Sequence, residues 1–367
     1  MSTNTTIEWT DRSWNPVRGC SRVSPGCDNC YAMRQAHRFS GPEITETDAA
    51  TGAVELVKRA GPYHGLTTIR RGKVDWSGVA RFVARELDAP LRWRKPQRIF
   101  VNSMSDLFHH SMADEEIAAV FGVMAACPQH TFQVLTKRPQ RALDWFEWIS
   151  GALPSCHPLG AARGVRWYAW NWAAGKDWEE RVAPSLTGGT PSWPLPNVWL
   201  GVSCEDQQRA DERIPLLLKT PAAVRFVSAE PLLGELDLRP YLHRGAHRVC
   251  PKCLFATNAR VVDTACPNGD GGVLGPDIAL DWVIVGGESG PGARPCDVEW
   301  IEDIVRQCRA SRTACFVKQL GSMPGFTART LEEVEDRQQH PILDRKGGDP
   351  SEWPEQLRVR EMPEVRS

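Results

Sequence analysis

The chain has no run of about eighteen consecutive apolar residues, so no membrane-spanning helix is expected. Its polar opening, MSTNTTIEWTDRSW, lacks the basic start and apolar stretch of a secretory signal, and the expected location is the cytoplasm. There is no Gly-x-Gly-x-x-Gly loop and no His-Glu-x-x-His pair, which removes the plainest signals of a dinucleotide fold or a zinc peptidase. No internal repeat is visible. Charge of one sign is missing too: the formal net charge of −1 excludes a global pull towards nucleic acid or anionic membrane.

Cysteine, by contrast, is plentiful. Twelve cysteines in a chain expected to meet a reducing compartment are not read as a disulfide framework, so clustered ones point to metal or catalysis. Cys20, Cys27 and Cys30 form one cluster, and Cys250, Cys253 and Cys266 a second. Cys127, Cys156, Cys204, Cys296, Cys308 and Cys315 are scattered and read as small buried apolar residues.

Short apolar, β-branched runs recur at 98–106, 131–139, 197–205, 224–231, 281–290 and 314–319. Their continuity fits strands buried on both faces, as in a parallel sheet covered by helices. Helical patterns lie between them at 114–127 with Asp114 as cap, at 206–219, and at 298–311 after Asp297. This alternation defines an α/β chain of repeated βα units. Segments 151–196 and 240–278 break the rhythm and read as insertions, since connectors of that length are uncommon. Residues 344–367 read as a charged C-terminal tail beyond a body of 1–343.

In βα barrels reactive groups gather where strands end. Here those ends carry Ser103, Ser105 and Asp106; Lys137 and Arg138; Ser203 and Glu205; Ser228 and Glu230; Glu288 and Ser289; and Lys318 and Gln319. Their recurrence favours one shared site over separate caps.

Three thiolates on one loop, spaced Cys-x6-Cys-x2-Cys, suit a soft metal centre. Structural zinc wants four ligands, and no fourth lies nearby before His37. A four-iron cluster on three thiolates leaves one iron open, which is the arrangement that S-adenosylmethionine (SAM) cleavage requires. Zinc, or a purely structural cluster, is the alternative. At the second cluster Cys250-Pro-Lys-Cys253 reads as a zinc knuckle. Cys266 begins what would be its mate, and His247 is the favoured fourth ligand. A solvated loop fits those residues equally well.

The stretches 7–32, 90–109, 133–139, 198–205, 226–234, 281–295 and 317–321 resemble a family of phage-type proteins of unknown function similar to radical SAM proteins. The resemblance spans nearly the whole chain. It implies a partial (β/α) barrel of six to seven strands, radical-SAM-like and carrying insertions. It further implies a [4Fe–4S] cluster on Cys20, Cys27 and Cys30, SAM as cosubstrate, and association with a three-Cys-motif partner protein. The first cysteine gap is three residues longer than the usual radical SAM motif, and Asn29 stands where an aromatic residue is usual. The rival reading is a non-catalytic metal-binding adaptor acting with a partner. The family's phage association makes nucleic acid a candidate substrate. Arg70, Arg71, Lys73, Arg92, Arg94, Lys95 and Arg98, interleaved with Trp76 and Trp93, could hold phosphates and stack bases, or simply be a solvated face.

Overall fold

The computed structural model describes residues 7–41, 61–151, 192–242, 278–326 and 342–364. It also describes Thr5, the strand backbones of 43–47, 54–58, 248–249 and 256–257, and isolated positions 51, 165 and 168. Seven parallel strands form one curled sheet, a partial β/α barrel. They are β1 (Arg12–Trp14), β2 (Arg98–Val101), β3 (Thr131–Thr136), β4 (Val198–Ser203), β5 (Val224–Ala229), β6 (Trp282–Gly286) and β7 (Ala314–Gln319). Each strand pairs with its neighbours in sequence, as repeated crossovers of one hand require.

Side-chain alternation sorts this sheet into two faces. Ile99, Val101, Phe132, Val134, Leu200, Val202, Val227, Val283, Val285 and Val317 join the large core that also takes in helices α2 (Asp114–Ala126), α3 (Pro139–Gly151), α4 (Gln207–Lys219) and α5 (Val298–Ser311). On the opposite face Trp9, Phe100, Trp199, Phe226, Trp282 and Phe316 form a separate aromatic cluster. Trp9 lies 4.7 Å from Phe100 and 6.1 Å edge-on to Trp282, so the interior is filled near the strand starts. Gly201 is needed here, because a Cβ would lie 2.5 Å from the Phe226 ring.

Helix starts follow local chemistry. Asp206 accepts from the Arg209 N–H at 2.8 Å and Asp297 from the Glu299 N–H at 3.0 Å, each filling a donor that the first turn leaves open. Asp114 is not the cap of α2. It is the first helical residue and takes an ion pair from Arg141 at 2.6 Å, while Ala113 occupies the cap and its N–H bonds Glu116 at 3.0 Å. Between β5 and β6 the described residues make no α-helix. Residues 231–242 instead dock on α5, whose buried Gln307 accepts from the Leu238 N–H at 2.7 Å and donates to the Leu236 carbonyl at 2.8 Å.

The segment after 343 is not a free tail. Trp353 and Leu357 are buried, and the Trp353 indole donates to the Gly347 carbonyl at 3.0 Å. Beyond them Val359 and Glu361 bond to β7 in antiparallel sense, at 2.9 and 2.8 Å. The chain end thus covers the edge strand that an open barrel leaves exposed. Among the described residues no helix is long and apolar enough to cross a membrane.

Trp353→Ala should therefore lower stability by about 3 kcal/mol or more, read from urea denaturation. Leu343→Ala, at a side chain 75% exposed, should leave it unchanged. Equal, small effects would mean that the C-terminal segment does not belong to the core.

Candidate functional site

The cysteine loop lies across the carboxyl ends of the strands. Gly19 turns the chain into it with φ +88°, and a Cβ there would strike the Val79 carbonyl at 2.3 Å, so only glycine fits. Pro25–Cys27 make one tight turn, and Cys30 is the residue before helix α1 (Tyr31–Arg38). All three cysteines are half-buried free thiols, and Cys20 and Cys30 pack against the same small cluster as Met104.

Three strand ends clamp this loop. At β3, Arg138 donates to the Ser21 carbonyl at 3.0 Å and the Ser21 hydroxyl at 2.8 Å, and its other amino group stands 3.8 Å from the Cys20 sulfur. Asp106, at the end of β2, holds that guanidinium at 2.8 Å. At β4, Glu205 accepts from the Gly26 N–H at 3.3 Å and from Arg213 at 3.1 Å. At β6, Glu288 accepts from Asn29 at 2.9 Å and from Arg294, whose second arm reaches the Pro25 carbonyl at 3.0 Å. Asn29, lacking the usual ring, is an anchor to this end of the sheet.

Most of the expected strand-end residues therefore have partners within the protein. Asp106 is buried and takes four donors: the Phe108 and Lys137 N–H groups, the Thr136 hydroxyl and Arg138. The Ser103 hydroxyl meets Asn15 at 3.3 Å and that of Ser105 meets the Val17 carbonyl at 2.8 Å, fixing the exit from β1. Lys137 and Glu230 belong to the interior instead. The Lys137 ammonium donates to Ser203 at 2.6 Å, and Glu230 pairs with Lys318 at 3.0 Å beside Ser228. Gly286 leaves this space open, since a Cβ would sit 2.9 Å from the Glu230 carboxylate. The result is a polar layer between an aromatic floor and the cysteine loop.

Electrostatics follow burial and pairing. Burial would raise the Glu205 carboxyl, but the Lys137 and Arg213 cations hold it below the usual carboxylate range. The same holds for Glu288, where Arg294 and Asn29 offset burial. Burial, helped by Asp106 and by the other two cysteines and opposed by Arg138, pushes the Cys20 thiol up to about 12. Cys27 and Cys30 act on Cys20, so the three thiols share one neighbourhood. Among the described residues no group of three or more His, Cys, Asp or Glu side chains is drawn together around a single-ion position. A four-iron cluster does not ask for that, because each thiolate binds a different iron. Soft donors, one loop and a neighbouring guanidinium fit such a group.

Arg213, Arg294, Ser21 and His109 were missing from the sequence reading. Arg213 lies inside α4 and Arg294 in a loop, so nothing local marked them as reaching the mouth. Conversely, Cys250, Cys253, Cys266 and His247 lie outside the described residues, between Arg248–Val249 and Ala256–Thr257 or beside them. The basic stretch does not form one surface. Arg98 begins β2, where Asp11 pairs with it at 2.9 Å; Asp88 pairs with Arg92; and Trp93 lies under Arg12 at 4.6 Å. Trp76 is buried, while Arg70, Arg71 and Lys73 stand at the other end of the sheet, beside the cysteine loop.

The fold and site define a parallel half-barrel closed at its carboxyl mouth by a three-cysteine loop. The chain belongs to the family described as "Protein of unknown function (DUF5131)", whose model matches residues 4–347. No curated protein and no solved structure matches it.

Asp106→Ala should destabilise by about 3–5 kcal/mol, because Arg138 is left as an uncompensated buried charge. Adding Arg138→Met should recover part of the loss, as measured by urea unfolding. A second outcome concerns His109, fully buried against Ser21 at 2.9 Å. Burial, with Arg138 and His110, depresses its pKa to about 4. The unfolded chain takes the proton first, so its contribution is complete above about 6.5 and is lost as pH falls towards 4. His109→Gln should flatten stability across that window, leaving the acid loss from Glu205 below the usual carboxylate range.

Proposed function

We propose that this protein is a radical SAM enzyme whose [4Fe–4S] cluster is held by Cys20, Cys27 and Cys30. One observation carries the reading: a loop bearing three thiols lies clamped over a polar interior of a parallel half-barrel. Bound there and reduced by an external one-electron donor, the cluster would supply the electron that splits the sulfonium C–S bond of SAM. The protein positions, shields and balances charge. Lys137, steadied by Ser203, is the point charge for the SAM carboxylate. Glu230 and Lys318 offer an acceptor and a donor to the ribose hydroxyls or the adenine edge. Asp106, Glu205 and Glu288 hold Arg138, Gly26 and Asn29, so their part is to fix the loop. Ser103 and Ser105 shape the wall between β1 and the cluster. The aromatic floor keeps water from the reacting centre.

Purified without oxygen and reconstituted with iron and sulfide, the protein should be brown and, with SAM and dithionite, release 5′-deoxyadenosine. Cys27→Ala should lose the colour and the iron. Lys137→Ala should keep both and bind SAM about tenfold more weakly, the loss of roughly one charged contact. Stoichiometric zinc on a colourless protein would end the proposal. A stable cluster that never cleaves SAM would leave a metal-binding adaptor.

A further inference from the structure

The face around the cysteine loop differs in charge from the rest of the chain. Residues 17–41 and 61–82 hold eight Lys and Arg against two Asp, in a chain whose net charge is −1. Both carboxylates are engaged: Asp28 and Asp75 pair with Arg22 at 2.9 and 2.7 Å. Among the described residues Arg38, Arg70, Arg71 and Lys73 make no ion pair, and the last three are exposed at a hairpin tip. That hairpin pairs Thr67–Arg70 with Lys73–Trp76 and packs along α1, where His37 meets Thr67 at 3.2 Å. The other basic cluster, at 92–98, is partly neutralised by Asp88 and Asp11.

Apolar exposure gathers on the same elements. Of seven exposed large hydrophobic side chains among the described residues, five are Val23, Tyr31, Phe39, Ile69 and Val79. They lie in the cysteine loop, α1, the hairpin and the turn after it. Tyr31 is 44% exposed although its hydroxyl is tied to the Ser103 carbonyl at 2.6 Å, so its ring is presented by a fixed tip. Phe39 is 40% exposed and stands 6.4 Å from the Tyr63 ring. Arg38 follows His37, which meets Thr67, and Arg70 lies three strand residues beyond Thr67, so the unpaired cations spread over roughly 10 Å, too far for one small anion and suited to successive phosphates. Exposed rings among them give unpaired bases a surface for stacking.

We infer that this face binds single-stranded nucleic acid, with Arg38, Arg70, Arg71 and Lys73 on the phosphates and Tyr31 and Phe39 against bases, delivering a nucleotide to the mouth. The inference rests on the cofactor reading for what happens next, but the binding itself does not. Charge decides between occupants. An acidic protein would need a complementary patch of fixed shape, whereas a flexible polyanion needs only spaced cations.

The test uses the full chain without SAM and labelled 20-mers of DNA and RNA, single-stranded and duplex, read by fluorescence anisotropy between about 50 and 200 mM salt. Single strands should bind more tightly than duplex, with affinity falling steeply as salt rises. Replacing Arg38, Arg70 and Lys73 together by Gln should weaken binding at least about tenfold and reduce the salt slope by about 2, the share of three phosphates on a single strand. Arg94→Gln with Lys95→Gln, at the opposite end of β2, should change neither. No binding at low salt, or equal loss in both variants, overturns the inference and leaves the face to an acidic protein partner. Oligonucleotide binding by a protein that never yields 5′-deoxyadenosine supports this surface and overturns the cofactor reading alone.

Discussion

The mouth of this half-barrel depends on the buried pair between Asp106 and Arg138. Asp106 sits at the end of β2 with two backbone N–H groups and a hydroxyl already committed to it, so its position is set by the sheet. Arg138 transmits that position across the mouth to Ser21 and to the sulfur of Cys20. A surface pair could not do this, since screening and side-chain freedom would blur the geometry. Buried at 2.8 Å, the pair instead fixes one donor beside one thiol. Glu205 and Glu288 repeat the device from β4 and β6, each carboxylate holding a backbone or amide N–H of the loop together with an arginine. The loop is thereby fastened at three points about the rim rather than by its own short turns.

The six-residue gap between Cys20 and Cys27 serves to fasten the loop. Ser21, Arg22 and Gly26 all fall within it, and they engage Arg138, Asp75 and Glu205 respectively. Gly26 leaves little room for a side chain: a Cβ would lie 3.0 Å from the Glu205 carboxyl carbon. That gap gives the backbone room to reach partners on two sides.

Six of the seven strands and helices α2, α4 and α5 were legible in the sequence because both-face burial leaves continuous apolar runs, as at 224–231 and 281–290, and because Asp206 and Asp297 stand at true caps, whereas α3 was not read. The remaining strand, β1, falls where a first strand is expected ahead of the cysteines, although it is only three residues long. The C-terminal segment misled by its charge: Trp353, Leu357 and Val359 are spaced too irregularly to show a period, yet each is buried. At the site, the sequence marked which strand ends are polar but not which way they point. Lys137 follows the interior alternation of β3, whereas Asp106 lies beyond the last residue of β2 and turns to the loop. Alternation fails where strands stop, and it is there that the partners come from distant segments such as Arg213 and Arg294.

The two ends of the sheet are consequently different materials. Near the strand starts, aromatic rings close the interior, and the charges above Asp11 and Asp88 are matched. Near the strand ends, small and polar residues leave space, and among the described residues Arg38, Arg70, Arg71 and Lys73 make no ion pair. Unpaired charge in water adds little to folding stability, so these arginines are not explained by what holds the chain together. A buried ion pair one layer below, by contrast, is costly to assemble and specific in direction. Stability and orientation are thus placed beneath the cysteine loop, and the long-range attraction for anions is placed around it.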